Sequence, residues 1–236
     1  MQVRLGQVPL TEALHFLGWR GAPVEDELIE QIRGMISLVQ ECVQPRLVTG
    51  RFALDADGAL AGTSFCPQGS DVRAMLAPCR EAVLLAATLG AQSERLLLKE
   101  QARSDVGAVL LDAVLSAAIE SVCDEAERSL RSRLAAQGMY LTDRFSPGYG
   151  DMPLAQTREI CAVLAADKTI GLTVSQSGIM IPRKSVTAIM GVSCAPVSRR
   201  PSGCAACSMR GRCALSKEQR PSDAAGRQDT AERTDS

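Results

Sequence analysis

Apolar residues recur every three or four positions over residues 24–43, "VEDELIEQIRGMISLVQECV", where Leu28, Ile32, Met35, Ile36 and Val39 make one stripe. The spacing predicts a helix. Residues 105–136 carry a longer stripe, Leu111, Val114, Leu115, Ala118, Ile119, Val122 and Ala126, and predict a long amphipathic helix. Shorter helices are expected over 11–18, capped by Thr11, over 71–77, capped by Ser70, over 91–103, and from about 153 to 166. Pro153 suits the first position of that last helix, because its missing N–H would have no partner there. "RLVTGRFALDADGALAG" reads as a hairpin with Asp57-Gly58 in the turn. "EAVLLAATLG" is a near-continuous apolar run and predicts a buried strand ending at Gly90. Further strands are expected at 139–143, "GLTVS" and "SVTAIMGVS". "TLGAQSE" has one glycine and reads as an ordinary strand–helix turn rather than a phosphate loop.

Helices and strands are interspersed, and hairpins fit better than a regular βαβ series. The expected class is α+β, a single domain with a twisted, largely antiparallel sheet and long helices. A chain of 236 residues, 46% hydrophobic, is long enough to bury a sizeable core. The formal net charge of -1 argues against broad electrostatic binding to nucleic acid or an anionic membrane, and arginines far outnumber the four lysines, Lys99, Lys168, Lys184 and Lys217. No signal peptide is read at the start, and no run reaches the roughly 18 apolar residues of a membrane span, so a soluble, cytoplasmic protein is expected. From Ser216 on the sequence is polar and aperiodic and is expected to be disordered.

Three places carry candidate chemistry. "RFSPGYGDMP", residues 144–153, packs an arginine, two glycines, two prolines and a tyrosine into ten positions. Pro147-Gly148 favours a turn, Gly148 and Gly150 allow close approach to the backbone, and Arg144 offers a planar fork of donors to a carboxylate or phosphate. Asp151 is expected to cap the helix that follows. "CAPVSRRPSGCAACSMRGRC" holds Cys194, Cys204, Cys207 and Cys213 in a C-x9-C-x2-C-x5-C pattern. Four thiolates suit tetrahedral zinc or an iron–sulfur cluster. Glu120, on the long helix, lies about 160° from the middle of the apolar stripe and shares its face with Ala113, Ser116, Ala117 and Asp124. Cys42, Cys79, Cys123 and Cys161, and Cys66 in a loop, read as buried small side chains, and the only histidine, His15, as structural.

The opening of "RFSPGYGDMP" resembles the arginine–x–small–proline–glycine–tyrosine loop of the activation domain of cobalamin-dependent methionine synthase. "SGIMIPRKSV", residues 177–186, resembles that family's serine–x–x–methionine–x–proline–x–x–serine–valine segment, and "AIESVCDEAERSL" resembles the acidic helix before the loop. The shared pattern covers about 105 to 193. Residues 1–104 would be the N-terminal part of the same domain, 105–193 its core, 194–215 a Cys-rich metal-binding segment and 216–236 a tail. The family's tryptophan after the second segment's methionine is Ile181 here, its distal tyrosine has no evident counterpart, and Asp26, Asp55 and Asp57 lack the context of its N-terminal aspartate.

The resemblance implies a stand-alone S-adenosylmethionine-binding protein for reductive methylation of a cobalamin. The cobalamin would be held by a methionine synthase lacking its own activation domain, with flavodoxin or ferredoxin as electron donor. Arg144 would bind the ligand's carboxylate, Ser146 and Gly148 would supply backbone contacts, Tyr149 would line the side facing the corrin, and Glu120 would lie near the ligand's positive groups. No catalytic side chain is implied, and the chain would be a methyltransferase component rather than an independent enzyme. The need for an electron favours iron–sulfur over zinc at the four cysteines. The alternatives are an iron–sulfur electron carrier or metal-stapled interaction module, or an activator of another corrinoid methyltransferase.

Overall fold

The computed structural model describes residues 3–197, apart from Arg4, Arg20 and Ala22. A four-stranded sheet, antiparallel at every pairing, runs through the middle in the order β1 (Arg46–Ala53), β2 (Glu81–Thr88), β6 (Ser185–Ser193), β3 (Tyr140–Leu141). β4 (Thr173–Val174) with β5 (Met180–Ile181) forms a separate ribbon. The helices are α1 (Leu10–Phe16), α2 (Asp26–Cys42), α3 (Ser70–Leu76), α4 (Ala91–Gln101), α5 (Asp105–Ala135), α6 (Gln156–Val163) and α7 (Ala166–Thr169).

Strand alternation explains the layering. Val83, Leu85 and Ala87 of β2 join a core with Met190 and Val192 of β6, which α1, α2, α4 and α5 cover. Ala82, Leu84 and Ala86 point the other way, with Ile189, into a second core closed by α3, α6 and α7. A central strand covered on both faces has no polar side to show, hence the unbroken apolar run of β2.

The long helix α5 starts cleanly: the Ser104 hydroxyl accepts from the Gly107 N–H at 3.0 Å. Small residues along it, Gly107, Ala108, Ala113, Ala117 and Ala118, are buried, so neighbouring elements approach closely. It also contains an 18-residue stretch of mean hydropathy 1.9, long and apolar enough by length and composition to cross a bilayer. Of that stretch 67% is buried inside the fold, as in a core helix.

Several expected details differ. The turn at Asp57-Gly58 forms, but the return arm makes only one bridge, Leu54 to Leu60, and β1 pairs instead with β2. Thr11 and Ser70 do not cap: α1 is preceded by Pro9 and α3 by Gly69. The helix expected from Pro153 begins at Gln156 and breaks into α6 and α7, with Ala165 in the left-handed region at φ 45°. Cys123 and Cys161 are buried as expected, whereas Cys42, Cys66 and Cys79 are half-buried.

Candidate functional site

Acidic and polar residues recur every fourth position on α5: Asp112, Ser116, Glu120 and Asp124, followed by Glu127. At 3.6 residues per turn they form one ridge. Two distant segments grip it. Lys184, from the second motif, reaches Asp112 Oδ1 at 2.8 Å and donates to the Asp112 carbonyl at 3.1 Å and Ser116 Oγ at 2.8 Å. Arg144, from the glycine–proline loop, pairs with Glu120 through Nη2 at 3.3 Å, with Glu127 through Nε at 3.0 Å, and with Asp124. Glu120 and Arg144, named from separate stretches of sequence, therefore meet.

The surroundings of Arg144 are built to hold a cation. Its side chain is 17% exposed, as is that of Glu127, while Asp124 is 57% exposed. Burial works against the guanidinium charge, but Cys123, Glu120, Asp124 and Glu127 outweigh it, and the pKa rises above the usual arginine value. The Cys123 thiol lies on the core side of the same group, and burial pushes it up to about 12. Arg144 Nη1 is buried and has no hydrogen-bond partner. Arg131 braces the approach: it holds Glu127 at 2.7 Å, Asp143 at 2.8 Å and the Thr142 carbonyl at 2.9 Å, and it also binds the Leu141 carbonyl.

Beyond Arg144 the chain crosses the edge of the sheet. Phe145 exchanges backbone hydrogen bonds with Ile189 of β6, at 2.9 and 2.8 Å, and its ring packs on the second core. The loop then closes on itself: the Gly148 N–H donates to the Met152 carbonyl at 2.9 Å and the Tyr149 N–H to the Ser146 carbonyl at 3.1 Å. Gly148 and Gly150 both have positive φ, 90° and 53°. A Cβ on Gly150 would lie 2.4 Å from Asp71 Oδ2 and one on Gly69 2.6 Å from Asp151 Oδ1, so these glycines let the loop sit against α3.

Asp151 does not cap the helix after it. Its carboxylate accepts from the Ser70 N–H at 2.5 Å, the Ser70 hydroxyl at 2.7 Å and the Asp71 N–H at 3.1 Å, so it caps α3. The Ser70 hydroxyl and those two backbone N–H groups hold its carboxyl below the usual range. Ser146, Gly148 and Tyr149 thus belong to a loop anchored on α3, while Arg144 reaches α5. Tyr149 is 68% exposed, an aromatic face offered outward.

The second motif is pinned with equal care. The Ile181–Pro182 peptide is cis, and the Ser185 hydroxyl bridges the Pro182 carbonyl and Thr88 Oγ1 at 2.7 and 2.8 Å. The Arg183 backbone N–H donates to Glu94 Oε1 at 2.6 Å, and its Nε lies 3.2 Å from Glu94 Oε2. Asp124 shares Glu120's face in the sequence reading, whereas Asp112, Glu127 and Lys184 are further partners that the structure adds; the four-residue spacing from Glu120 through Ser116 is the signal that finds Asp112.

Among the described residues no group of three or more His, Cys, Asp and Glu side chains is arranged to hold a metal. Cys194 is exposed just after β6, and Cys204, Cys207 and Cys213 lie outside the described residues, as does the segment from Ser216. A cleft of about 490 Å³ lies between α2 and the start of α5, lined by Gln31, Met35, Leu38, Glu100 and Val106 among others. It is about 20 Å along α5 from Glu120 and belongs to neither motif.

No known protein-family profile matches the sequence, and no curated protein matches it. Among solved structures, the chain is similar to the MetH reactivation domain in its crystal structure bound to AdoHcy, with a TM-score of 0.63 and 15% sequence identity over 85% of this chain and 79% of that one. The described residues therefore have the activation-domain fold that the sequence motifs implied, with mixed helices and antiparallel sheet.

Proposed function

We propose that this protein binds S-adenosylmethionine and serves the reductive methylation of a cobalamin held by a partner methionine synthase. The observation that carries this reading is the meeting of Arg144 with Glu120, 3.3 Å apart, inside a fold whose solved neighbour is a reactivation domain bound to AdoHcy. The ligand bears one carboxylate, one ammonium and a sulfonium. A guanidinium set among three carboxylates offers a partner to each sign of charge.

The chain's own part is binding and orientation. Arg144 and the α5 acids fix the amino-acid end of the ligand. The 146–152 loop supplies a wall, and because the Gly148 N–H is committed to Met152, Gly148 would contact the ligand through its carbonyl or by close approach alone. Tyr149, Leu154, Ile179 and Ile181 are large apolar side chains left more than half exposed on the segments around the two motifs, and they suit a face that a partner covers. When bound, S-adenosylmethionine supplies the methyl group and the partner's reduced cobalt the nucleophile, so no side chain of this chain need attack. Positioning and exclusion of water remain for the protein. The cytoplasmic setting, the flavodoxin or ferredoxin donor, and iron–sulfur or zinc at Cys194, Cys204, Cys207 and Cys213 complete the reading and rest on the sequence.

Isothermal titration calorimetry with S-adenosylmethionine and S-adenosylhomocysteine on the wild type and Arg144→Ala tests the ligand assignment. Binding by the wild type and a loss of at least tenfold in the variant are expected, the scale of about 1.5–3 kcal/mol for a charged hydrogen bond. No binding by the wild type, or equal binding by both, overturns it.

A further inference from the structure

A guanidinium receives a carboxylate most firmly through a pair of donors, Nε with Nη2 or Nη1 with Nη2, and less firmly through one, as Asp124 is received by Nη2. In Arg144 the first pair is taken: Nε lies 3.0 Å from Glu127 Oε2, and Nη2 is shared between Glu120 and Asp124. The second pair contains Nη1, which is closed to solvent. A carboxylate from outside finds no seat on Arg144 as the protein stands.

The three acids are not equally free to leave. Glu127 is buried to the same degree as Arg144 and is held a second time by Arg131 at 2.7 Å. Glu120 makes the longest contact, 3.3 Å. Asp124 pairs with Nη2 and is the most exposed of the three, at 57%, so its carboxylate can swing into water at little cost.

We infer that Asp124 is a latch that occupies the ligand-carboxylate seat on Arg144, so that ligand binding is an exchange of one carboxylate for another. This rests on the ligand reading above and adds a specificity device to it. The exchange keeps Arg144 neutralised at every stage, which suits a cation that burial disfavours. It also makes the site selective: a ligand without a carboxylate has nothing to offer in place of Asp124.

The test measures calorimetric affinity of the full chain for S-adenosylhomocysteine and for decarboxylated S-adenosylmethionine, which keeps the ammonium and sulfonium but lacks the carboxylate. The wild type, Asp124→Asn and Asp124→Ser are compared, with thermal melts to confirm that each is folded. Because an exposed ion pair is what ligand must displace, both variants are expected to bind S-adenosylhomocysteine about two- to fivefold more tightly than the wild type. The decarboxylated ligand should show no such gain. Binding by the wild type that is lost in Arg144→Ala but unchanged or weakened in both Asp124 variants overturns the latch and leaves the ligand reading standing. An equal gain for the decarboxylated ligand also overturns the latch. No binding of S-adenosylhomocysteine by any of the three proteins overturns both.

Discussion

Gly191 sits in β6 opposite Ala82 and exchanges hydrogen bonds with Thr142: its N–H donates to Thr142 Oγ1 at 2.8 Å, and its carbonyl accepts from the Thr142 N–H at 2.9 Å. Its φ is not in the left-handed region, so space alone forbids a side chain. A Cβ there would lie 2.4 Å from Cys79 Sγ, 3.0 Å from Leu76 Cδ2 and 3.2 Å from Cys79 Cβ. Ordinary contacts between such atoms are about 3.5–4.0 Å, so Gly191→Ala must push α3 from β6 by about 1 Å or strain the strand. Overpacking of this kind costs about 1–3 kcal/mol. For a protein of this size that is a fall in Tm of about 2–12 °C. Removing the sulfur with Cys79→Ala leaves only the two milder contacts, so the double variant should recover most of the loss, a coupling of about 0.5–2 kcal/mol. Urea and thermal unfolding of the wild type, both single variants and the double variant measure it. A Gly191→Ala penalty below about 0.5 kcal/mol, or one of the same size with and without Cys79, would refute the packing argument.

Asp151→Asn should lower Tm at pH 7 by weakening the cap on α3. The folded-state carboxyl is held below its ordinary value, so its contribution is fully present above the unfolded pKa of about 3.9 and disappears as pH falls through the depressed folded value. Melts from pH 7 to pH 2.5 should show the gap between wild type and variant closing only in the acid limb, and a gap constant throughout counts against the cap. Arg131→Met removes the group that holds the carbonyls of Leu141 and Thr142 together with Glu127 and Asp143. A loss of about 1–3 kcal/mol in urea unfolding is expected, since the side chain is a quarter exposed. Ligand affinity should weaken along with it, because Asp143 precedes Arg144; unaltered affinity would show that Arg144 is placed without this brace.

How much of this was legible in the sequence depends on the range of the interaction. The β2 run announced itself because burial on both faces leaves no polar alternation to obscure it. The stripe of α5 and the polar ridge opposite it follow from one helical period. Interactions that join distant segments were misassigned. Ser70, two positions before Val72, is the cap that local sequence suggests for α3, while the group that caps it is Asp151, 81 residues away. The Asp57-Gly58 turn correctly signalled a reversal, yet local turn chemistry says nothing about which strand β1 will pair with. For the site, the motif resemblance supplied Arg144 and Glu120. Asp124 and Glu127 needed only the four- and seven-residue spacing from Glu120, but Lys184 is recognisable as their counterpart only once β6 is seen to run beside α5.

Two segments forty residues apart, around Arg144 and Lys184, are both fastened to α5, one at Glu120 and Asp124 and the other at Asp112 and Ser116. The separation of these anchor points is not set by loop lengths, which can drift, but by helical pitch: eight residues from Asp112 to Glu120, about 12 Å. In this respect α5 acts as a ruler. Inserting one residue between Ser116 and Glu120 would turn one anchor about 100° away from the other without touching either motif, and the two halves of the site would lose their common baseline while every residue named in them stayed the same.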